Sequence, residues 1–328
     1  MTRSIPRAAC AAAGLLMALA SLASCGGETS DTGSDANANA DAAAAGAAPQ
    51  ASAAFAASEA EWRQARRAGL LAEDGWTSLV GLHWLELRAH YVGSSATSGI
   101  RLALGPEKLG LVQREAGRVY FTPERGVAVS AGEQPVKGRI ELHDDRADEP
   151  SELRFDDGRG RLSLIRRGER HALRVKHADA PARTGFGAIE HWPIDAGWVL
   201  EGRFTPHPAG RTIEIANIVG GVDAMPNPGA VEFTRDGRDY RLEALEGSEG
   251  GLFLVLADRT SGQGSYGAGR YLDTAAPDAQ GRVMLNFNRA YNPPCAFTAF
   301  ATCPLPPPDN RLDLAVTAGE RAYAKPAT

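Results

Sequence analysis

The sequence has no excess of positive charge. Its 35 basic side chains face 40 acidic ones, a net charge of −5, so no broad basic field invites nucleic acid and no nucleic-acid partner is expected. It has no phosphate-binding P-loop and no H-E-x-x-H pair. The seven histidines show no tight ligand spacing, so neither a metal site nor a cofactor is expected. A G-x-G-x-x-G string does occur, from Gly262 to Gly267. It lacks the helix whose N-terminus would hold a pyrophosphate, because Gly269-Arg270-Tyr271-Leu272 reads as another strand. Past residue 99 helical periodicity is nearly absent, which excludes a helical bundle, and no internal repeat suggests an array.

The N-terminus carries the sharpest local signal. Arg3 and Arg7 precede an uncharged apolar run, Ala8 to Leu22, too short for a comfortable transmembrane span. Leu22-Ala23-Ser24-Cys25 follows. This is similar to a bacterial lipobox, which implies a signal peptide over 1–24 and a fatty-acylated Cys25 (a palmitate-type anchor). Acyl chains anchor by about 0.8 kcal/mol per buried CH2, and more than one chain gives stable attachment. The expected location is the cell envelope. With Gly26 rather than Asp after the cysteine, the lipoprotein rule places the chain at the outer membrane, facing the periplasm, in a Gram-negative host.

Residues 25–57 are almost entirely Ala, Gly, Ser, Asp and Asn. Such a stretch buries too little apolar surface to offset its ordering entropy, and predicts a flexible tether reaching roughly 30 Å. A folded region is expected over 58–326. Ser58 and Glu61 have capping-box spacing, and Trp62, Ala65, Gly69 and Leu70 roughly share a face, so a docking helix is expected there, ended by Asp74-Gly75. Short alternating runs then take over. Examples are Leu173-Arg174-Val175-Lys176 and Thr212-Ile213-Glu214-Ile215, while Gly251 to Leu256 is apolar throughout. About a dozen such strands separated by turn signals predict a mainly β fold, a sandwich or barrel-like set of antiparallel sheets. The single N-terminal helix and a long proline-rich C-terminal loop complete that expectation. A weak seam is placed near 177–188.

Chemistry-bearing residues concentrate between Asp258 and Arg311. Asp258-Arg259-Thr260-Ser261 is followed by Tyr266 and Arg270, then by Asn286-Phe287-Asn288-Arg289-Ala290-Tyr291-Asn292-Pro293-Pro294-Cys295. Thr302-Cys303-Pro304-Leu305-Pro306-Pro307-Pro308-Asp309-Asn310-Arg311 closes the segment. These strings resemble domain-of-unknown-function family 1684, whose hallmarks are F-N-R-A-Y-N-P-P-C-A-F and T-C-P-L-P-P-x-x-N-R-L. The likeness reaches back through Trp192-Pro193-Ile194-Asp195 to about Trp76. Asn286 stands where many relatives carry Asp, and Arg259 interrupts the family's Asp-x-Thr. The resemblance implies a domain and points to residues, but transfers no reaction.

Asn and Arg side chains in a proline-stiffened loop do one of two things. They bond irregular backbone together, or they present fixed donors to an anionic or polyol ligand. The candidate ligand-binding set is Tyr266, Arg270, Asn288, Arg289, Tyr291, Asn292, Asn310 and Arg311. Guanidinium groups aimed at one cavity would mark a ligand site; the same groups on carbonyls would mark architecture. Cys295 and Cys303 are the thiols that remain beside Cys25 after removal of the leader. In an exported domain their spacing suggests a disulfide worth about 2–3 kcal/mol. A metal pair completed by histidines, a nucleophilic Cys295 and two free buried thiols are the alternatives. Trp76, His83 and Trp84 form an aromatic patch that reads as core or as a stacking wall for a sugar.

Three functions follow. The first is an envelope binding module for a small polar or anionic ligand or glycan. The second is an envelope hydrolase using Cys295 or a pair such as Asp258 and His191. The third is a structural or assembly factor.

Overall fold

The computed structural model describes residues 38–324, with side chains from residue 52. Cys25, the leader and the first part of the proposed tether lie outside those residues. The compact unit begins at Gln50, and the description below concerns it.

Helix α1 spans Ala38–Leu71. It is already formed over 52–57, inside the stretch whose composition predicts a tether, so Ser58 does not cap its start. The docked face also differs from the expected one. Ala65 and Gly69 are exposed, whereas Glu59 and Leu70 are buried and Trp62, Arg63 and Arg66 are half-buried. Spacing of three and four residues puts these on one stripe, but that stripe is largely ionic. The helix ends where expected: the Thr77 hydroxyl donates to Leu70 O at 2.5 Å. A Cβ at Gly75 would sit 2.5 Å from the same carbonyl, so only glycine fits the exit.

Eleven strands build the first module. They are β1 (Leu79–Trp84), β2 (Ala89–Gly93), β3 (Ile100–Arg101), β4 (Gly110–Glu115), β5 (Arg118–Pro123) and β6 (Val129–Ala131). β7 (Gln134–Pro135), β8 (Ile140–Leu142), β9 (Glu152–Phe155), β10 (Gly160–Arg167) and β11 (Arg170–His177) follow. One sheet runs β1-β11-β10-β9-β6-β7 and the other β3-β2-β4-β5-β8. Their inner faces share one core, with Val112, Phe121 and Leu142 from one sheet and Leu153, Leu162, Leu173 and Val175 from the other. The period of two along β11 sends Leu173 and Val175 into that core and leaves Arg174 and Lys176 on the opposite face.

A short helix, α2 (Pro181–Thr184), follows this core. The second module contains β12 (Val199–Pro206), the hairpin β13 (Thr212–Ala216) and β14 (Val222–Pro226), then β15 (Gly229–Arg235) and β16 (Arg238–Glu246). β17 (Leu252–Leu256), β18 (Arg270–Thr274) and β19 (Arg282–Asn286) complete it. The antiparallel order β18-β17-β16-β15-β12-β19 makes a nearly closed barrel-like sheet. Val231, Leu242, Leu254, Leu272, Leu285 and Phe287 fill it.

The proline-rich segment lies against this barrel. Tyr271 and Tyr291 exchange two backbone bonds of 2.9 Å, Leu305 N donates to Ala216 O, and Ile218 N donates to Cys303 O. The fold is therefore mainly β, with antiparallel sheets, one N-terminal helix and a long proline-rich loop. The Gly262–Gly267 string is a turn leading into β18, with Gly262 and Gly264 at positive φ, and no helix follows it.

Candidate functional site

Four of the eight residues singled out in the sequence hold the fold together instead of facing a ligand. Arg270 is fully buried. Its guanidinium pairs with Asp258 at 2.9 Å and donates to the carbonyls of Val316, Ala318 and Glu320. Asn288, also fully buried, brackets Asp195 by accepting from its N–H at 2.9 Å and donating to its C=O at 2.8 Å. The Asn292 side chain donates to Arg321 O at 2.7 Å. Asn310 accepts from Glu243 N and donates to the carbonyls of Glu243 and Val255. Irregular backbone between a barrel and its closing loop must find partners for its amides, and these side chains supply them.

The other four divide. Arg289 donates to Glu59 Oε1 at 3.0 Å and to the Ser58 hydroxyl at 3.1 Å, fastening α1. The Tyr266 hydroxyl donates to Cys295 O at 3.3 Å. Arg311 is exposed on an open surface depression it shares with Arg238, Arg241, Asp309 and Asp313. Among the described residues, Tyr291 is the one of the eight that lines a partly open cavity between elements of the two modules. Arg270, Arg289 and Arg311 therefore do not converge on one space.

That cavity, of about 360 Å³, lies between β10–β11 of the first module, helix α1 and the Ala301–Pro304 loop. Three arginines reach it, and only one was in a run that the sequence marked. Arg167 Nε donates to the Thr302 hydroxyl at 3.0 Å, and Arg174 Nη2 approaches the same oxygen at 3.3 Å. Arg66 leans over the Tyr291 ring, 4.5 Å from its centroid. Trp76 stands at the mouth, with the Arg174 guanidinium 5.5 Å from its ring. Phe253, Tyr271 and Cys303 form much of the remaining wall.

The charges here are unequally compensated. Arg66 pairs with the buried Glu320 at 3.1 Å, and Arg167 pairs with Asp145 at 2.7 Å. Among the described residues no carboxylate forms an ion pair with Arg174: the Asp145 charge acts on it from its own pair with Arg167, and the Arg174 Nε is buried without a hydrogen-bond partner. Burial pushes the Arg174 pKa down, and the like charge of Arg167 adds to this. A buried donor without a partner costs free energy, which an acceptor within its reach recovers. The neutral hydroxyls are already engaged: Tyr271 donates to Pro304 O at 2.9 Å and Tyr291 to Asp273 at 2.8 Å.

The aromatic patch of the sequence separates in the fold. Trp76 lines the cavity, whereas Trp84 is covered by Arg170 at 4.1 Å and His83 is half-buried. The two cysteines do meet. Cys295 N donates to Cys303 Sγ at 3.1 Å. The hydrogen bond between the two thiols, then burial, pushes the Cys303 pKa far up, so its thiol is not a ready nucleophile. Asp258 and His191 are not brought together. Both Asp258 oxygens serve Thr260, Arg270 and Val316 N, while His191 Nδ1 lies 3.0 Å from its own chain's Ile189 O. No group of three or more His, Cys, Asp or Glu with metal-binding geometry occurs among the described residues.

Arg167, Arg174, Arg66 and Glu320 were missed by sequence reasoning. Each lies outside the loop that looked unusual, and strand alternation marks Arg174 only as outward-facing. The one available signal was a basic position repeated on the outer face of β11.

Residues 184–321 match the family described as protein of unknown function DUF1684. No curated protein matches the chain. Among solved structures, an uncharacterized protein of Haloarcula marismortui is 31% identical over 42% of this chain and 78% of its own, with a TM-score of 0.35. The N-terminal FHA domain of EssC, a component of the bacterial Type VII secretion apparatus, is 10% identical over 30% of this chain and 46% of its own, with a TM-score of 0.24. No helix among the described residues is long and apolar enough to cross a membrane.

Proposed function

The chain belongs to the DUF1684 family through its C-terminal half, and we propose that it is a binding protein of the cell envelope whose Arg167–Arg174 cavity takes a small anion. The observation that carries this is Arg174. It is a half-buried guanidinium with no carboxylate partner among the described residues and with an unbonded Nε, beside a second arginine on the same hydroxyl. Guanidinium groups are weakly hydrated and present a planar fork of donors, which suits an oxyanion in a partly dry pocket. The proposed compartment rests on the lipobox-like Leu22-Ala23-Ser24-Cys25. Acylation of Cys25 would hold the domain at a membrane, in a Gram-negative host at the outer membrane facing the periplasm.

The test is thermal unfolding with acetate, phosphate or sulfate. A ligand that binds only the native state raises the melting temperature, by about 2.7 kcal/mol of stability at a hundredfold excess over Kd. At least one of these anions should stabilise the wild type and leave R174Q unchanged. Equal effects on both proteins would remove the site from this cavity.

A further inference from the structure

We infer that the occupant of this cavity is a monoanion, a carboxylate carried on an apolar and preferably aromatic body, and not a phosphate dianion or a sugar. The inference rests on the anion-site reading above and refines it in three steps.

The first is charge. Of the three guanidiniums at the cavity, Glu320 neutralises Arg66 and Asp145 neutralises Arg167, which leaves one positive charge, on Arg174. A monoanion balances it. A dianion would leave one negative charge uncompensated in a partly desolvated space, an unfavourable arrangement.

The second is the polar inventory. A sugar needs a partner for each of several hydroxyls. The two tyrosine hydroxyls at the wall already donate to Pro304 O and Asp273, and the Thr302 hydroxyl already accepts from two arginines. What remains on offer is mainly guanidinium N–H groups, donors that match an oxyanion better than they match several sugar hydroxyls.

The third is the wall itself. Trp76, Met225, Phe253, Ala301 and Pro304 surround the arginines. Apolar and aromatic surface next to one charged fork fits a ligand with an acid head and a hydrophobic body. Arg174 would hold the carboxylate while Trp76 covers the body.

The experiment is isothermal titration calorimetry of the full-length chain in detergent with phenylacetate, inorganic phosphate and glucose, on wild type, R174Q and R174K. Phenylacetate should bind saturably, lose affinity by more than tenfold in R174Q, and lose about tenfold in R174K, which keeps the charge without the fork. Phosphate and glucose should neither bind nor displace it. If phosphate binds more tightly and does so through Arg174, the ligand class is wrong and the anion site stands; if glucose does so, both the ligand class and the anion reading fall. Phenylacetate binding that is equal in all three proteins, or no binding of any probe, overturns both. R174K guards against a folding defect in R174Q, and far-ultraviolet circular dichroism of each variant confirms the native β signal.

Discussion

Asn286 Nδ2 donates a 2.9 Å hydrogen bond to Glu59 Oε1, joining the end of β19 to helix α1 across 227 positions of sequence. Arg289 holds the same carboxylate at 3.0 Å. The family run Phe-Asn-Arg-Ala-Tyr-Asn is thus, in this chain, the receptor for its own N-terminal helix. The Asn at 286 matches the buried acid it faces. An aspartate here would set one carboxylate against another. N286D should therefore lower stability by about 2 kcal/mol, the scale of a lost charge-assisted bond plus repulsion. The N286D/E59Q double variant should recover most of it by exchanging donor and acceptor. Melting temperatures of the two variants check this; equal losses in both would mean that the contact does not fasten the helix.

Arg270 gives a second prediction. It is buried with Asp258, and removing one partner strands the other. R270M should cost about 3–5 kcal/mol and shift the urea midpoint accordingly, without altering anion binding per folded molecule. A variant that keeps its stability but loses ligand would return Arg270 to a binding role.

His191 supplies the pH dependence. Burial, with Arg63 and Arg66 nearby, pushes its pKa down from the ordinary histidine value of 6.5 to about 4. A group whose folded pKa is depressed stabilises the native state above its unfolded pKa. That contribution drains away as pH falls through the folded value. Wild-type stability should therefore decline between pH 6.5 and about 4, and H191Q should lack that component. Chemical denaturation at stepped pH measures it; parallel curves for the two proteins would contradict it.

How much of this was legible beforehand differs between fold and site. Strand alternation exposed the β class because a half-buried sheet imposes a period of two on any sequence that covers it. Leu173-Arg174-Val175-Lys176 is a clear instance. Gly75 ended α1 for a local steric reason that the sequence also carries. The docked face of α1 was not legible, since Glu59 is buried and Arg66 half-buried against Arg289 and Glu320, far along the chain, which neutralise them. For the same reason the family loop looked like a ligand site. Asn288, Arg270 and Asn310 are polar residues in irregular backbone, and no local pattern tells a donor aimed at a carbonyl from one aimed at a cavity. The cavity arises where an outer sheet face meets a loop about 130 residues later (the Arg167–Thr302 bond spans 135 positions), which no short motif encodes.

The cysteine pair gives a fourth prediction. In an oxidising compartment we expect the Cys295 and Cys303 thiols to lose two hydrogens to an oxidised dithiol partner by thiol–disulfide exchange, leaving one S–S bond. Intact-mass measurement of protein recovered from the envelope should show a species lighter by two hydrogens and unreactive to alkylation. C295S/C303S should be less stable by about 2–3 kcal/mol. Full alkylation of both thiols without reductant would exclude the bond.

The central claim is that Arg174, and not the arginines of the family loop, meets the ligand. The most direct measurement is an NMR titration of protein labelled with 15N-arginine, following the Arg Nε–Hε signals as phenylacetate is added, with Arg174 assigned by its loss in R174K. The Arg174 signal should move saturably while those of Arg289 and Arg311 stay in place. Movement of Arg289 or Arg311 with a stationary Arg174 would contradict the account.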